Sequence, residues 1–366
     1  MARADLKARW TGMLAMLAVL LMAAPAVAQQ EEPTSPRART PLTILQLNDV
    51  YSTVPIEGAG GLARVATMKA RLAASGHTPL VLMAGDFLSP SVASSIFKGE
   101  QMVAGLNAAG LDLATLGNHE FDFGPEVLLQ RMAEAKWQWV ISNVVDTRTN
   151  RPVGGAAPYV IKTYGTMKVG FIGLCLDGDE ITMGNRGFLR ITDPLAAAAR
   201  YLPMLKREGA TVIIAITHLT FADDSALVRR FPEIDLVVGG HEHYPITSIQ
   251  GRTLISKAGS DARFLARIDL NRRRDTTVER FYELMPVNNT IPDEPKAAAV
   301  IAGYEERLGR ELDVVVGRST VALEANSAIM RASETNLGNL VADAMRAEVG
   351  ADITIANSGG IRGDRA

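Results

Sequence analysis

Four of the chain's five histidines fall in three short motifs: Gly117-Asn118-His119-Glu120, Thr217-His218 and Gly239-Gly240-His241-Glu242-His243. Leu47-Asn48-Asp49 and Gly85-Asp86 add two carboxylates. Carboxylates, an asparagine carbonyl and imidazoles form a hard-to-borderline ligand set suited to Zn²⁺, Mn²⁺, Co²⁺ or Fe²⁺, without the thiolates of a structural zinc cage. Such a set favours open coordination and is large enough for two divalent ions around one shared carboxylate. Ions about 3.5–4 Å apart activate a bridging water, polarise a phosphoryl oxygen and stabilise the charge that develops in displacement. Asp86, between the other ligands in the pattern, is the natural bridge.

Ligands so far apart in sequence must be gathered by a scaffold. Short β-rich apolar runs alternate with Ala- and Leu-rich helical segments, which predicts a layered α/β domain with helices on the outside. The strand candidates are Leu42–Leu47, Leu80–Ala84, Leu113–Leu116, Trp139–Ser142, Val169–Leu174, Val212–Thr217, Leu236–Val238 and Thr253–Ser256. Most end in one of the motifs, and the carboxyl ends of strands in an α/β sheet form its ligand-binding edge. Helices are expected over Leu62–Ala73, Ser94–Ala109, Pro125–Ala135 and Pro194–Glu208, the last opened by Asp193 as N-cap and Pro194 at the first helical position.

The 366 residues are 47% hydrophobic and 21% charged, ordinary globular composition, and the formal net charge of −2 supplies no field to capture a nucleic acid polymer. Residues 1–28 read as a signal peptide: Arg3, Lys7 and Arg9, an apolar run from Trp10 to Ala24, then Ala26-Val27-Ala28 before a cut after Ala28. The run is shorter than the about 20 residues that span a bilayer, so no stable membrane span is expected once it is removed. A periplasmic or secreted location follows. Residues 29–40 form a polar tether, 41–275 the metal-binding domain, and 276–313 a linker containing an amphipathic helix. Residues 314–366, with strands expected at Val314–Val321 and Asp352–Ala356 around a helix at Asn336–Val349, are an incomplete α/β domain too short to close a core alone. Cys175, the single cysteine, lies in an apolar run and reads as a packing residue, and His77 as a loop residue.

The ordered set Leu47-Asn48-Asp49, Gly85-Asp86, Gly117-Asn118-His119-Glu120, His218 and Gly239-Gly240-His241-Glu242-His243 resembles the calcineurin-like metallophosphoesterases. Gly117 to Asp122 together with Ser333-Glu334-Thr335-Asn336-Leu337-Gly338-Asn339-Leu340 resembles the bacterial periplasmic 5′-nucleotidase family within them. The resemblance implies a layered mixed β-sheet metallophosphoesterase domain, and a small-molecule phosphate ester, a nucleotide, as substrate. It implies one ion on Asp49, Asp86 and His243 and another on Asp86, Asn118, His218 and His241. His119 and Asp122 match the family's catalytic dyad, while Arg331, Asn357 and Arg362 match its nucleotide-binding groups, a guanidinium suiting phosphate through its planar fork. Glu120 and Glu242 are read as backbone buttresses rather than ligands.

The chain departs from the family at Tyr51, where a histidine is usual. A phenol with a pKa of about 10 ligates only after losing its proton, whereas neutral imidazole binds near pH 7. The Asp49 site is therefore expected to bind its ion more weakly. The resemblance leaves three readings: a 5′-nucleotidase, another two-metal phosphodiesterase or thiohydrolase relative, and an exported binding protein that has lost turnover.

Overall fold

Every residue of the strand Leu42–Leu47 is buried, which a strand achieves only when both of its faces are covered. The alternation shows how: Leu42 and Ile44 enter one apolar cluster, Leu45 and Leu47 another. In the computed structural model, which describes residues 42–176, 186–273, 277–315 and 317–361, this double burial arises because two sheets stack face to face between outer layers of helices.

The first six-stranded sheet runs Val278–Pro286, Phe264–Arg272, Leu42–Leu47, Pro79–Ala84, Leu113–Thr115, Gln138–Trp139. The second runs Pro245–Gln250, Thr253–Ala258, Leu236–Gly239, Val212–His218, Met167–Cys175, Tyr159–Tyr164. From Leu42–Leu47 onward the first sheet is parallel, as is the middle of the second, while the remaining pairings are antiparallel. The mixed, layered α/β class expected from the sequence is the observed one. Ile44, Leu82, Phe171, Ile214 and Val238 fill the space between the sheets. Leu45, Met83, Leu106 and Leu128 pack the first sheet against its helices, and Ile172, Leu202, Ile213 and Leu227 do so for the second. Gln46 crosses between the sheets, its amide donating to Gly239 O at 3.0 Å and Ser256 O at 2.8 Å.

Three expectations are corrected. The predicted helix Ser94–Ala109 is two helices, Val92–Phe97 and Glu100–Ala109, because Lys98 and Gly99 both turn left-handed. Residues 276–313 are not simply a linker, since Val278–Pro286 pairs with Phe264–Arg272 throughout its length. Its polar text reflects an edge position with partly exposed residues. The helix Pro295–Leu312 that follows packs on Leu62–Ala74 and Glu100–Ala109, and Tyr304 Oη donates to Glu100 at 2.6 Å. Finally, the described residues of 314–321 and the stretch 352–356 form no strand. A strand exists only through its ladder, and with Ile353 78% and Ile355 95% exposed, apolar propensity alone does not extend the chain into a sheet. The helix Asn336–Val349 forms as expected, capped by the Thr335 hydroxyl on the Gly338 amide at 3.1 Å.

The signal and tether segments at 1–40 lie outside the described residues. Among those described, no helix is long and apolar enough to cross a membrane. Cys175 is buried in the first sheet's outer cluster, and His77 bonds Thr43 Oγ1 at 3.1 Å, away from the ligand edge.

Candidate metal centre

Parallel strands point their carboxyl ends the same way, so Asp49, Asp86 and Asn118 from the first sheet and His218 and His241 from the second emerge along one edge. Three of these turn back on left-handed backbone: Asp49 at φ 53°, Asp86 at φ 57° and His241 at φ 82°. Such conformations cost non-glycine residues of order 1–3 kcal/mol each and cluster where function requires them. Hydrogen bonds between the loops hold them: Asp49 N to Gly85 O at 3.1 Å, Val50 N to Asp86 O at 2.9 Å and Asp261 N to Asp49 O at 2.8 Å. Glycine is required at Gly117, where a Cβ would lie 2.2 Å from Asp86 Oδ1.

The ligand atoms of Asp49, Asp86 and His218, all three buried, lie within 4.8 Å of one another. His218 Nε2 is 3.1 Å from Asp86 Oδ2, and its Nδ1 meets Ala84 O at 2.7 Å, an arrangement that aims Nε2 into the cluster. Neither His218 Nε2 nor the buried Asn118 Oδ1 has a well-formed hydrogen bond. Buried polar atoms are rarely left so, and each, the imidazole once deprotonated, can donate a lone pair to a cation. The donor set therefore fits a divalent cation. His241 lies edge-on to His218, ring centroids 5.4 Å apart, and its amide donates to Asp49 Oδ2 at 2.9 Å. His243, with its side chain 42% exposed, brings Nε2 to 3.4 Å from Asp49 Oδ1.

Tyr51 borders the same carboxylates. Its hydroxyl is 2.9 Å from His243 Nε2, 3.2 Å from Asp49 Oδ1 and 3.4 Å from Asp86 Oδ2. Burial, then the Asp86 and Asp49 carboxylates, push the phenol far above its ordinary pKa, so without a cation it stays a neutral donor to those carboxylates. Burial opposes charge on His218, but Asp86 and Asp49 outweigh it and raise its pKa from 6.5 to about 10. Burial likewise opposes the Asp86 carboxylate, which His218 and His119 nevertheless hold below its usual value. In the metal-free protein the stability from the raised His218 pKa is complete below 6.5 and is lost as pH rises through about 10, while that from the lowered Asp86 pKa is complete above its ordinary 3.8 and is lost as pH falls below it. Since a ligating imidazole must be neutral, loading at pH 7.5 is expected to release a proton from His218. Calorimetric titration in two buffers of different ionisation enthalpy measures it, and identical heats in both would refute the assignment.

Glu120 holds backbone, as its position beside the motif suggests. It accepts from the amides of Gly117 at 2.6 Å, Asp86 and Phe87 at 2.8 Å and Leu88 at 3.1 Å, joining the Asp86 and Asn118 loops. Glu120→Gln turns an NH₂ toward amides that need acceptors, and each buried donor left unmet costs about 1–3 kcal/mol. A lower melting temperature and weaker metal binding together are the expected result, measured by thermal melts with and without metal.

His119 opens the short 3₁₀ turn His119–Phe121. Its amide donates to Asp86 Oδ1 at 2.8 Å and its Nδ1 pairs with Asp122 Oδ2 at 2.8 Å, so the proposed dyad borders the cluster. Arg331, on the helix Ser327–Ala332, and Asn357, which caps the turn Ser358–Gly360, are exposed and lie on two elements that pack together. Arg362 lies outside the described residues. The sequence reading passed over Asn48, whose side chain donates to Asp49 Oδ2 at 2.7 Å and Gly259 O at 2.6 Å, and Asp261, whose carboxylate accepts from Tyr51 N at 3.2 Å. It also passed over Lys257, although a lysine inside the apolar run Leu254–Ala258 was a signal that a buried charge needed partners.

Two stacked mixed sheets carry a carboxylate, asparagine and histidine cluster along one edge, and the family model that matches this part of the chain makes it a metal-dependent phosphoric ester hydrolase. The chain belongs to the calcineurin-like phosphoesterases, whose family model matches residues 42–245. A second model, that of the 5′-nucleotidase C-terminal domain, matches residues 315–366. A 5′-nucleotidase of Vibrio cholerae is 28% identical over 406 aligned residues, covering 95% of this chain and 72% of that protein. The 5′-nucleotidase of Bos taurus is 26% identical, covering 83% of this chain but only 59% of the relative. Among solved structures, a 5′-nucleotidase precursor from Thermus thermophilus shares the fold at TM-score 0.71 and 24% identity, covering 84% of this chain and 67% of that one. The Thermus thermophilus sulfate thiohydrolase SoxB shares it at TM-score 0.68 and 18% identity, covering 86% of this chain and 68% of that chain.

Proposed function

We propose that the chain is an exported two-metal phosphoesterase whose substrates are nucleotide phosphate esters, a 5′-nucleotidase. The observation that carries the reading is the buried convergence of Asp49, Asp86 and His218 beside the His119–Asp122 pair. The names of the Vibrio and Bos relatives support the nucleotide.

Asp86 would lie between two ions, with Asn118, His218 and His241 completing one ligand set and Asp49, His243 and Tyr51 the other. Ions held there supply a water nucleophile usable at neutral pH and electrostatic stabilisation of phosphoryl oxygens. The remaining work falls to side chains. Asp122 orients the His119 ring by its 2.8 Å bond to Nδ1, leaving Nε2 to donate to the phosphoryl group or its departing oxygen. Arg331, Asn357 and Arg362 are assigned to substrate, the guanidiniums to phosphate and the amide to a polar edge of the nucleotide.

The test is a panel of nucleoside 5′-monophosphates and an aryl phosphate, offered to metal-stripped protein and to protein loaded with Mn²⁺ or Zn²⁺. Metal-stimulated hydrolysis with nucleotides preferred is expected. Hydrolysis of the aryl ester alone would remove the nucleotide assignment, and no metal-stimulated turnover would favour a binding protein. Export after Ala28 predicts a mature N-terminus at Gln29, readable by N-terminal sequencing of protein from a secreting host.

Tyr51 bears on the ion at Asp49. An imidazole at this position needs no assisted deprotonation, so Tyr51→His is expected to tighten binding of that ion on the order of tenfold, about 1.4 kcal/mol. Competition with a metal-chelating dye measures the change, and unaltered affinity would show that the phenol does not weaken the site.

A further inference from the structure

Lys257 is fully buried, near the end of the strand Thr253–Ala258. Burying an ammonium costs several kcal/mol even after relaxation, so its partners must justify the position. An ammonium has three protons, and all are used: Leu219 O at 2.7 Å, Gly240 O at 2.7 Å, and a short contact with Glu242 Oε2. Asp224 Oδ2, 3.0 Å away, completes the surroundings as an ion-pair partner. Burial raises the Asp224 pKa to about 6 against the pull of Lys257.

What these partners share is their place in the chain. Leu219 follows His218, Gly240 precedes His241, and Glu242 separates His241 from His243. Thr217, which precedes His218, donates through Oγ1 to Asp224 Oδ1 at 2.7 Å, and Glu242 Oε1 accepts from Phe221 N at 2.6 Å. The strand that ends in His218 and the loop that carries His241 and His243 are thus fastened to one cation beneath the cluster. A Gly240 N to Thr217 O bond, 2.8 Å, also links them directly.

We propose that Lys257 is a positioning residue for the histidine side of the metal centre, setting the separation of His218 from the His241–His243 loop through Leu219, Gly240 and Glu242. This rests on the two-metal reading. The geometry favours positioning over simple charge neutralisation, because beside its carboxylate partners the ammonium holds two neutral carbonyls, Leu219 O and Gly240 O, that flank the proposed ligands.

The test uses Lys257→Met and, in case that variant does not fold, Glu242→Gln, which keeps the lysine paired with Asp224 and weakens its hold on the loop. Arg267→Met, which removes an ion pair with Asp269 at 2.7 Å away from the ligand edge, serves as a stability control. Metal content, the binding isotherm and the visible spectrum of Co²⁺-loaded protein are measured beside the melting temperature. Lys257→Met is expected to weaken one ion about tenfold or more and to alter the Co²⁺ bands, with Glu242→Gln smaller in the same direction. Arg267→Met should lower the melting temperature alone. If whichever of the two cluster variants fold bind both ions with wild-type affinity and spectrum, the positioning role is overturned while the two-metal reading stands. If the wild-type chain itself binds no divalent ion, both fall.

Discussion

Asp86→Asn is expected to take the protein from two bound ions to one or none and to lower kcat/KM on the order of 10³-fold, about 4 kcal/mol of transition-state stabilisation. The expectation follows from how fully this carboxylate is used. It is 2% exposed, with Oδ1 accepting the His119 amide at 2.8 Å and Oδ2 facing His218 Nε2 at 3.1 Å and the Tyr51 hydroxyl at 3.4 Å. An asparagine offers one neutral oxygen in place of two charged ones, and its NH₂ would face either the His119 amide or the incoming cations. The metal-free fold should survive. Without the Asp86 charge the His218 proton loses its main support and keeps that of Asp49, and in either protonation state the ring still donates to Ala84 O. Plasma emission analysis of metal content beside a melting curve separates loss of ligand from loss of fold. Two ions retained at wild-type affinity would mean that Asp86 is no bridge.

The site was legible where chemistry sits at strand ends. Leu42–Leu47 was read residue for residue, and the ligand order followed, because a buried parallel strand is a short apolar run with an abrupt polar end. Among the strands that escaped, beside Tyr159–Tyr164 and Phe264–Arg272, two lack that contrast. Val278–Pro286 lies at an edge and Pro245–Gln250 alternates half-buried with exposed residues, so both read as polar text although their register is continuous. The opposite error came at Asp352–Ala356, where strand-like residues have no ladder. The buttresses show a further limit. Glu120 gathers four amides from two loops, and Lys257 joins loops that lie 21 residues apart at Leu219 and Gly240. Neither role has a spacing signature, since the partners are backbone atoms whose positions exist only once the sheets have stacked.

His119→Ala is the second large effect. General acid–base side chains contribute about 10²–10⁴ in rate, and the proposed role places the loss in kcat, with KM and ion content little changed because the ring is not a ligand. The imidazole is placed for the acid role: its side chain remains 29% exposed toward the open edge, and Asp122 meets Nδ1 from behind. Burial disfavours its protonation, but the Asp122 bond and the Asp86 charge outweigh this and raise its pKa above the ordinary 6.5. If the protonated ring donates to the departing oxygen, the wild-type rate falls as pH rises through that raised pKa. Asp122→Asn removes the support, so its alkaline limb should move to lower pH while metal content stays the same. In His119→Ala that limb should vanish, leaving a low, flatter profile. A His119→Ala profile with the wild-type limb merely scaled down would assign the titration to another group, and the acid role of His119 would be lost with it.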